Sequence, residues 1–225
     1  MRDVAASGGM GRLQKVRRAW LCGQMKTKIN NHFIMNSQMV FLHEFLKNPF
    51  QVASIIPSSR FLERHIVKLA EARSAQTVVE LGAGIGGTTR AILGAMAPDA
   101  KLLSIEINPR FCALLHRIQD PRLTVHCGGA QELRETISLY GLPAPEVVVS
   151  GIPFSVIEPG VGPKIVETIS SVLVSGGRFV AYQISKHVEE LSHPLLGPAR
   201  VEMELLNIPP LRLYRWDKQI AFSES

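Results

Sequence analysis

The chain has 225 residues, of which 46% are hydrophobic and 20% charged, as expected for one globular domain with an appendage or for two small domains. Seven basic residues and one acid give residues 1–31 a charge of +6, whereas residues 32–225 hold 18 basic and 18 acidic residues. This distribution excludes a uniformly basic body, and no apolar run reaches the roughly 18 residues of a membrane span.

The first third of the chain is predicted to be helical. Residues 1–31 form a basic arm in which apolar side chains recur at helical spacing, so an amphipathic helix is expected. Residues 32–75 carry further predicted helices, which we expect to cover the functional site of the domain that follows. An apolar stretch ends at Pro49, and a second helical repeat runs from Leu62 to Leu69.

Short apolar strands alternate with helices from residue 76 to residue 225. Helices are predicted to begin near Gly86, Pro109, Ala130 and Gly162, and five strands are predicted at 77–81, 101–106, 123–126, 146–150 and 178–183. This alternation is typical of a doubly wound parallel sheet. Two further strands, 201–206 and 211–216, leave no room for a helix between them and predict an antiparallel hairpin. We therefore predict an α/β, Rossmann-like domain with a seven-stranded sheet.

The strongest chemical signal is a glycine-rich turn after the first predicted strand. Glu80 precedes it, and glycines follow at every second position, Gly82, Gly84 and Gly86, which is tighter than the dinucleotide fingerprint. Glu106 ends the second predicted strand, where a carboxylate can bind both hydroxyls of a ribose. The pattern indicates a turn at which the backbone approaches a ligand closely.

This combination resembles the class I S-adenosylmethionine-dependent methyltransferases over residues 77 to 216. The resemblance implies S-adenosylmethionine as the cofactor, with Glu80 orienting a water or the methionine ammonium. Gly82 and Gly84 would admit the methionine portion, and Glu106 would bind the ribose. The other residues that the resemblance implies at the cofactor are Ala83, Gly86, Thr88, Ile107, Asn108, Gly129, Ala130, Gln131 and Ser150.

The adenine contact departs from the family pattern. After the third strand the family often has an Asp that holds the adenine amino group, and here Gly129 stands at that position. The backbone of Ala130 or the side chain of Gln131 is the expected substitute.

The end of the fourth predicted strand reads Ser150, Gly151, Ile152, Pro153, Phe154. In amine-directed members of the family, this place holds an Asp or Asn, then prolines and an aromatic ring that gather the substrate nitrogen. Here a serine replaces the acid or amide. The candidate catalytic residues are therefore Ser150, Gly151, Pro153, Phe154 and, at the end of the fifth strand, Tyr182. A purely structural turn with Phe154 in the core, and a core role for Tyr182, stay open.

A narrower resemblance is to the bacterial phospholipid N-methyltransferases. It rests on the segments 45–50 and 53–59 and on the Ser-Gly-Ile-Pro sequence that begins at Ser150. It implies N-methylation of phosphatidylethanolamine and its methylated derivatives towards phosphatidylcholine. Two other functions stay open: an rRNA adenine N6-dimethyltransferase, and a non-catalytic module that binds a lipid or a partner.

The resemblance also implies that the basic arm docks on a membrane. The expected partners are an anionic membrane surface and the phospholipid substrate, at the inner face of the membrane on the cytoplasmic side. Nucleic acid is less favoured as a partner, and the oligomeric state is left open. Three cysteines without CxxC spacing favour reduced thiols and predict no metal site. The candidate membrane-binding residues are Arg12, Lys15, Arg17, Arg18, Trp20, Lys26 and Lys28.

Overall fold

The computed structural model describes residues 60–206 and 210–219. Within these ranges there are six α-helices and seven strands, which alternate along the chain up to β6. The strands are β1 (Thr77–Leu81), β2 (Lys101–Glu106), β3 (Leu123–Cys127), β4 (Val147–Ser150), β5 (Arg178–Gln183), β6 (Arg200–Glu204) and β7 (Leu211–Asp217). The helices are α1 (Arg60–Ala70), α2 (Gly87–Ala95), α3 (Pro109–Leu115), α4 (Leu133–Leu139), α5 (Val161–Val172) and α6 (His187–Leu196).

All seven strands form one sheet in the order β3-β2-β1-β4-β5-β7-β6. The first five strands are parallel, whereas β7 runs antiparallel to both β5 and β6. The predicted doubly wound sheet with an antiparallel terminal hairpin is therefore confirmed. The chain order reverses direction between β1 and β4, and in doubly wound sheets ligands bind at the carboxyl ends of the strands at such a switch point.

Helices cover both faces of a parallel sheet and exclude water from it. The central strands are therefore continuous apolar runs. Every residue of β1 and of β4 is buried. One core cluster contains Phe179 and Trp216, whose rings stack with centroids 4.9 Å apart. The other contains the apolar side of α1 together with Tyr182.

Helix α1 packs on the sheet through apolar side chains and also contacts it through a histidine. Leu62, Ile66 and Leu69 are buried, as their spacing predicted. On the same helix, His65 Nε2 lies 2.7 Å from Glu202 and His65 Nδ1 lies 3.1 Å from Glu204, both on β6. These contacts join the helix that precedes the sheet to the strand at its far edge.

The structure differs from the sequence predictions in detail. Helix α6 was not predicted, because Pro194 lies inside it and proline normally argues against a helix. This proline is in the last turn, so the helix loses the backbone hydrogen bond to the Glu190 carbonyl and ends two residues later. Strand β6 begins one residue earlier than predicted and ends at Glu204. In the described ranges no helix is long and apolar enough to cross a membrane, and no His, Cys, Asp and Glu cluster could hold a metal ion.

The boundary predicted at residue 31 lies outside the described residues, and the boundary at residue 75 stays a prediction. The basic arm and the candidate membrane-binding residues lie outside the described residues.

Candidate functional site

The glycine turn between β1 and α2 has the backbone that its sequence predicted. Gly82, Gly84 and Gly86 have φ angles of +74°, +56° and +85°, which glycine adopts without the steric cost of a side chain. A Cβ on Gly82 would lie 3.2 Å from Ile152, and one on Gly86 would lie 3.0 Å from Leu115. A Cβ on Gly84 would meet no described atom within 4 Å. The turn is thus packed at both ends and open at its centre.

Glu80 is a buried carboxylate with one unpaired oxygen. Its side chain is 1% exposed, and Oε2 accepts hydrogen bonds from Thr89 Oγ1 at 2.6 Å and Ser104 Oγ at 2.8 Å. Within the described ranges, Oε1 has no hydrogen-bond partner. Burial raises the pKa of Glu80 to about 7. A buried acceptor of this kind is costly unless a water or a ligand donor meets it.

Glu106 joins the end of β2 to the glycine turn. Its side chain is 6% exposed, Oε2 accepts from the Gly84 amide at 2.7 Å, and Oε1 accepts from the Asn108 amide at 2.8 Å. Burial raises the pKa of Glu106, although the bonds to these amides act in the opposite direction. Asn108 also caps α3 by accepting from the Arg110 amide. The carboxylate therefore lies beside the open centre of the turn.

In the loop after β3, the Gln131 side chain lies over Gly129, the position of the missing acid. Gly129 is buried, and a Cβ on it would overlap the carboxamide of Gln131. The Gln131 side chain therefore folds back into the space that a side chain at position 129 would take. Ala130 begins a 3-10 turn, Ala130–Glu132, and is buried, whereas Ile107 is exposed. The Ala130 backbone and the Gln131 side chain both stay predictions for the substitute of the acid.

The turn after β4 differs from the expected acceptor site. Ser150 is fully buried, and its hydroxyl accepts from the Ile152 amide at 3.3 Å, within the turn itself. Phe154 is 1% exposed and belongs to the core cluster of Phe179 and Trp216. The expectation that the Phe154 ring packs on a substrate amine is therefore corrected: the ring supports the turn from below. Pro153 and Gly151 are half-buried.

Tyr182 brings a hydroxyl from β5 to the same place. The side chain is 9% exposed, and a Cβ on Gly151 would overlap its Oη. The Thr88 side chain is a neighbour of this hydroxyl and acts to lower its pKa. Burial raises the pKa of Tyr182, and the charge of Glu80 raises it further. The ring is thus part of the core, while the hydroxyl reaches the turn where the acceptor was expected.

No family model matches the chain. The ornithine lipid N-methyltransferase of Singulisphaera acidiphila is 30% identical over 147 residues, which are 64% of this chain and 77% of that protein. The chain belongs to the bacterial lipid N-methyltransferase family, within the class I methyltransferases. The ribosomal RNA small subunit methyltransferase A of Maricaulis maris is 41% identical over 98 residues, 42% of this chain and 33% of that protein.

Solved structures agree on the fold of this methyltransferase. The precorrin-6Y C5,15-methyltransferase of Geobacter metallireducens matches with a TM-score of 0.56 at 16% identity, over 72% of this chain and 90% of that one. The N-methyltransferase NodS of Bradyrhizobium japonicum matches with a TM-score of 0.57 at 12% identity, over 73% of this chain and 98% of that one. At these identities the likeness shows the fold alone.

The methyltransferase uses S-adenosylmethionine as its methyl donor, and its residues fit that group. The open centre of the glycine turn leaves space at Gly84, and Glu80 Oε1 is a buried acceptor that a donor or a water would satisfy. Glu106 is the carboxylate that would hold the ribose hydroxyls. When bound, S-adenosylmethionine supplies an electrophilic methyl group on a sulfonium.

Three supporting residues were missed from the sequence. Thr89 and Ser104 hold Glu80 Oε2, and Gln183 at the end of β5 holds the turn after β4. The Gln183 amide donates to the Ile152 carbonyl, and its Oε1 accepts from the Phe154 amide. A polar residue at the end of a buried parallel strand is the signal that could have identified Gln183. A fourth missed residue, Glu63, is considered below.

Proposed function

We propose that this methyltransferase transfers methyl groups to the amine head group of a membrane lipid, with phosphatidylethanolamine and its methylated derivatives as substrates towards phosphatidylcholine. The observation that carries the proposal is the extent of the match to the ornithine lipid N-methyltransferase. That match spans 77% of the relative, whereas the matches to ribosomal RNA methyltransferases span about a third of theirs. Ornithine lipid also presents a primary amine, so it is the second lipid to test.

Methyl transfer to an amine requires few functional groups in the turn after β4. An amine attacks through its lone pair, so the protein must align the nitrogen with the methyl group and remove part of its water. The buried Ser150 hydroxyl is engaged with the Ile152 amide and provides no base. At this turn, the Tyr182 hydroxyl lies against Gly151, where a Cβ would overlap it.

Ribosomal RNA is the second candidate substrate, because the relative from Maricaulis maris is 41% identical to 42% of this chain. Two features favour the lipid. Residues 32–225 carry equal numbers of basic and acidic residues, which gives the body no excess charge for a polyanion. The turn after β4 begins with Ser150 in place of Asp or Asn and reads Ser-Gly-Ile-Pro, the sequence that carries the resemblance to the phospholipid N-methyltransferases.

The basic arm is proposed to bring the enzyme to the inner face of an anionic membrane. Each basic residue near such a surface contributes about 1 kcal/mol, and the effect falls off within a Debye length. Seven basic residues in 1–31, together with Trp20, suit reversible peripheral binding that weakens with added salt.

The test is methyl transfer from labelled S-adenosylmethionine to three kinds of vesicle. One contains phosphatidylethanolamine in phosphatidylglycerol, the second contains ornithine lipid in phosphatidylglycerol, and the third contains phosphatidylglycerol alone. We expect label in the first, and label in the second if the pocket accepts both amines. Equal label in all three, or none in any, would contradict the proposal.

A further inference from the structure

One charged side chain next to the glycine turn has no role in the reaction described so far. Glu63 lies in the first turn of α1 and is half-buried. Its carboxylate lies against Gly87, the first residue of α2. A Cβ built on Gly87 would stand 2.6 Å from Glu63 Oε1. Among residues 60–206 and 210–219, no hydrogen bond or ion pair engages this carboxylate. The helix that precedes the sheet thus presents a free acid at the site.

Neighbouring residues connect this carboxylate to the turn after β4, where the acceptor is proposed to bind. Thr88 follows Gly87 and neighbours the Tyr182 hydroxyl, and a Cβ on Gly151 would overlap that same hydroxyl. Burial is the main cause that raises the pKa of Tyr182, and the charge of Glu63 contributes to it. Gly87 and Thr88 therefore connect Glu63 to the Tyr182 hydroxyl and to Gly151 at the switch point between β1 and β4.

The other two carboxylates of the site are already engaged. Glu106 has both oxygens on backbone amides. Glu80 has Oε2 on two hydroxyls and is almost entirely buried, with only Oε1 left for a ligand. Glu63 is the one of the three that is half-exposed with neither oxygen bonded to a described residue.

The surroundings of Glu63 suit an acid that exchanges a proton. Burial raises its pKa, while the charges of Arg60 and Arg90 act in the opposite direction. The Arg90 guanidinium also donates to the carbonyls of Ile85 and Gly86, so it is held on the glycine turn. A carboxylate whose pKa is moved towards neutrality is a better proton acceptor near pH 7 than an ordinary one.

We propose that Glu63 binds the ammonium of the acceptor head group and removes one proton from it, an inference that rests on the proposed function. The head group R–NH₃⁺ gives one proton to the Glu63 carboxylate and becomes R–NH₂, and the carboxyl group passes this proton to water. The lone pair on nitrogen forms the new bond to the methyl carbon, and the electrons of the broken carbon–sulfur bond stay with sulfur. The methylated product is again an ammonium, so each further round needs one more deprotonation.

The experiment compares the full chain with the variants Glu63→Gln and Glu63→Asp and with the matched control Glu167→Gln. Glu167 is exposed on α5, so its variant makes the same charge change away from the site. The acceptor is phosphatidylethanolamine in phosphatidylglycerol vesicles. We expect Glu63→Gln to lower kcat/KM for this lipid by roughly tenfold to a hundredfold, the effect of losing one charged hydrogen bond. Glu63→Asp should recover part of the loss, and Glu167→Gln should match the parent.

Two further readouts separate this role from a structural one. The affinity for S-adenosylhomocysteine, measured by calorimetry, should change by less than about threefold in Glu63→Gln, equivalent to about 0.65 kcal/mol. The residual rate of this variant should rise with pH more steeply than that of the parent, because water must then take the proton. A large loss of S-adenosylhomocysteine affinity with an unchanged KM for lipid would overturn the inference and place Glu63 at the donor.

The inference and the proposed function fail in different ways. If the parent methylates the lipid and Glu63→Gln does so at the parent rate, Glu63 has no such role and the lipid function stands. If the parent methylates rRNA and no lipid, both are overturned.

Discussion

Replacing Glu106 with glutamine is the sharpest test of the cofactor assignment. The change keeps the shape of the side chain but removes its charge and one of its two acceptor oxygens. In the parent, these oxygens accept from the Gly84 amide at 2.7 Å and the Asn108 amide at 2.8 Å. A glutamine can accept only one of these bonds, and its NH₂ group would face the other amide donor.

The magnitude follows from these contacts. A hydrogen bond to a charged group contributes about 1.5–3 kcal/mol, and a buried donor left unpaired costs about 1–3 kcal/mol. Release of a buried carboxylate, whose pKa burial raises, offsets part of this loss in the free protein. We therefore expect the free energy of unfolding of Glu106→Gln to fall by about 1–2 kcal/mol. Cofactor binding should weaken by about a hundredfold, since the two ribose hydroxyls lose a charged acceptor.

Titration calorimetry with S-adenosylhomocysteine measures the affinity, and chemical unfolding measures the stability. Glu135→Gln, an exposed position on α4, is the matched control and should behave as the parent. A folded Glu106→Gln protein with the parent affinity would refute the ribose assignment. If the variant loses affinity only under conditions that partly unfold it, Glu106 supports cofactor binding only by holding the glycine turn in place.

Three further changes have defined outcomes. Burial raises the pKa of Glu80 from its ordinary value of 4.5 to about 7 in the folded state. The stability that this group contributes is therefore full below about pH 4.5 and is lost as pH rises to about 7, so Glu80→Gln should flatten the unfolding free energy between about pH 5 and 7. Burial lowers the pKa of His65, but its bonds to Glu202 and Glu204 outweigh this and raise it above 6.5. The stability that His65 gains from these two bonds is therefore full below pH 6.5 and is lost as pH rises through the raised pKa. In chemical unfolding, His65→Gln should lower the free energy of unfolding by about 1–3 kcal/mol at pH 5.5 and by less at pH 8.5. Deleting residues 1–31 should weaken sedimentation with phosphatidylglycerol vesicles and leave calorimetric S-adenosylhomocysteine affinity nearly unchanged.

Each of these outcomes has a clear opposite. An unchanged pH slope in Glu80→Gln would show that Glu80 is not the group titrating near neutrality. An equal loss at both pH values in His65→Gln would mean that the histidine contributes by packing and not by charge. Equal loss of vesicle binding and cofactor affinity on deleting the arm would make it part of the cofactor site.

The fold and the cofactor turn were predictable because their signals are local. Apolar strands buried on both faces read as continuous runs, and a turn that needs positive φ at Gly82, Gly84 and Gly86 can be recognised from spacing alone. The position of Glu106 at the end of β2 could be predicted because a β-α-β unit has a typical length. Each of these inferences concerns residues that are close together in the chain.

The acceptor side was predicted less well because its geometry depends on packing between distant elements. Phe154 was expected at the substrate, but the core between the sheet and α5 has room for its ring. Glu63 belongs to a helix that precedes the sheet, and only the docking of α1 brings it to Gly87. A glutamine that folds back over Gly129 likewise depends on side-chain conformation, which residue spacing does not determine.

The central claim is that the acceptor is a lipid amine, and competition in one vessel tests it most directly. The full chain is incubated with methyl-labelled S-adenosylmethionine, vesicles of phosphatidylethanolamine and phosphatidylglycerol, and small-subunit ribosomal RNA. The mixture is then separated by organic extraction. The account predicts label in the organic phase, on phosphatidylethanolamine derivatives identified by mass spectrometry. Label on the RNA, with none on the lipid, would contradict it.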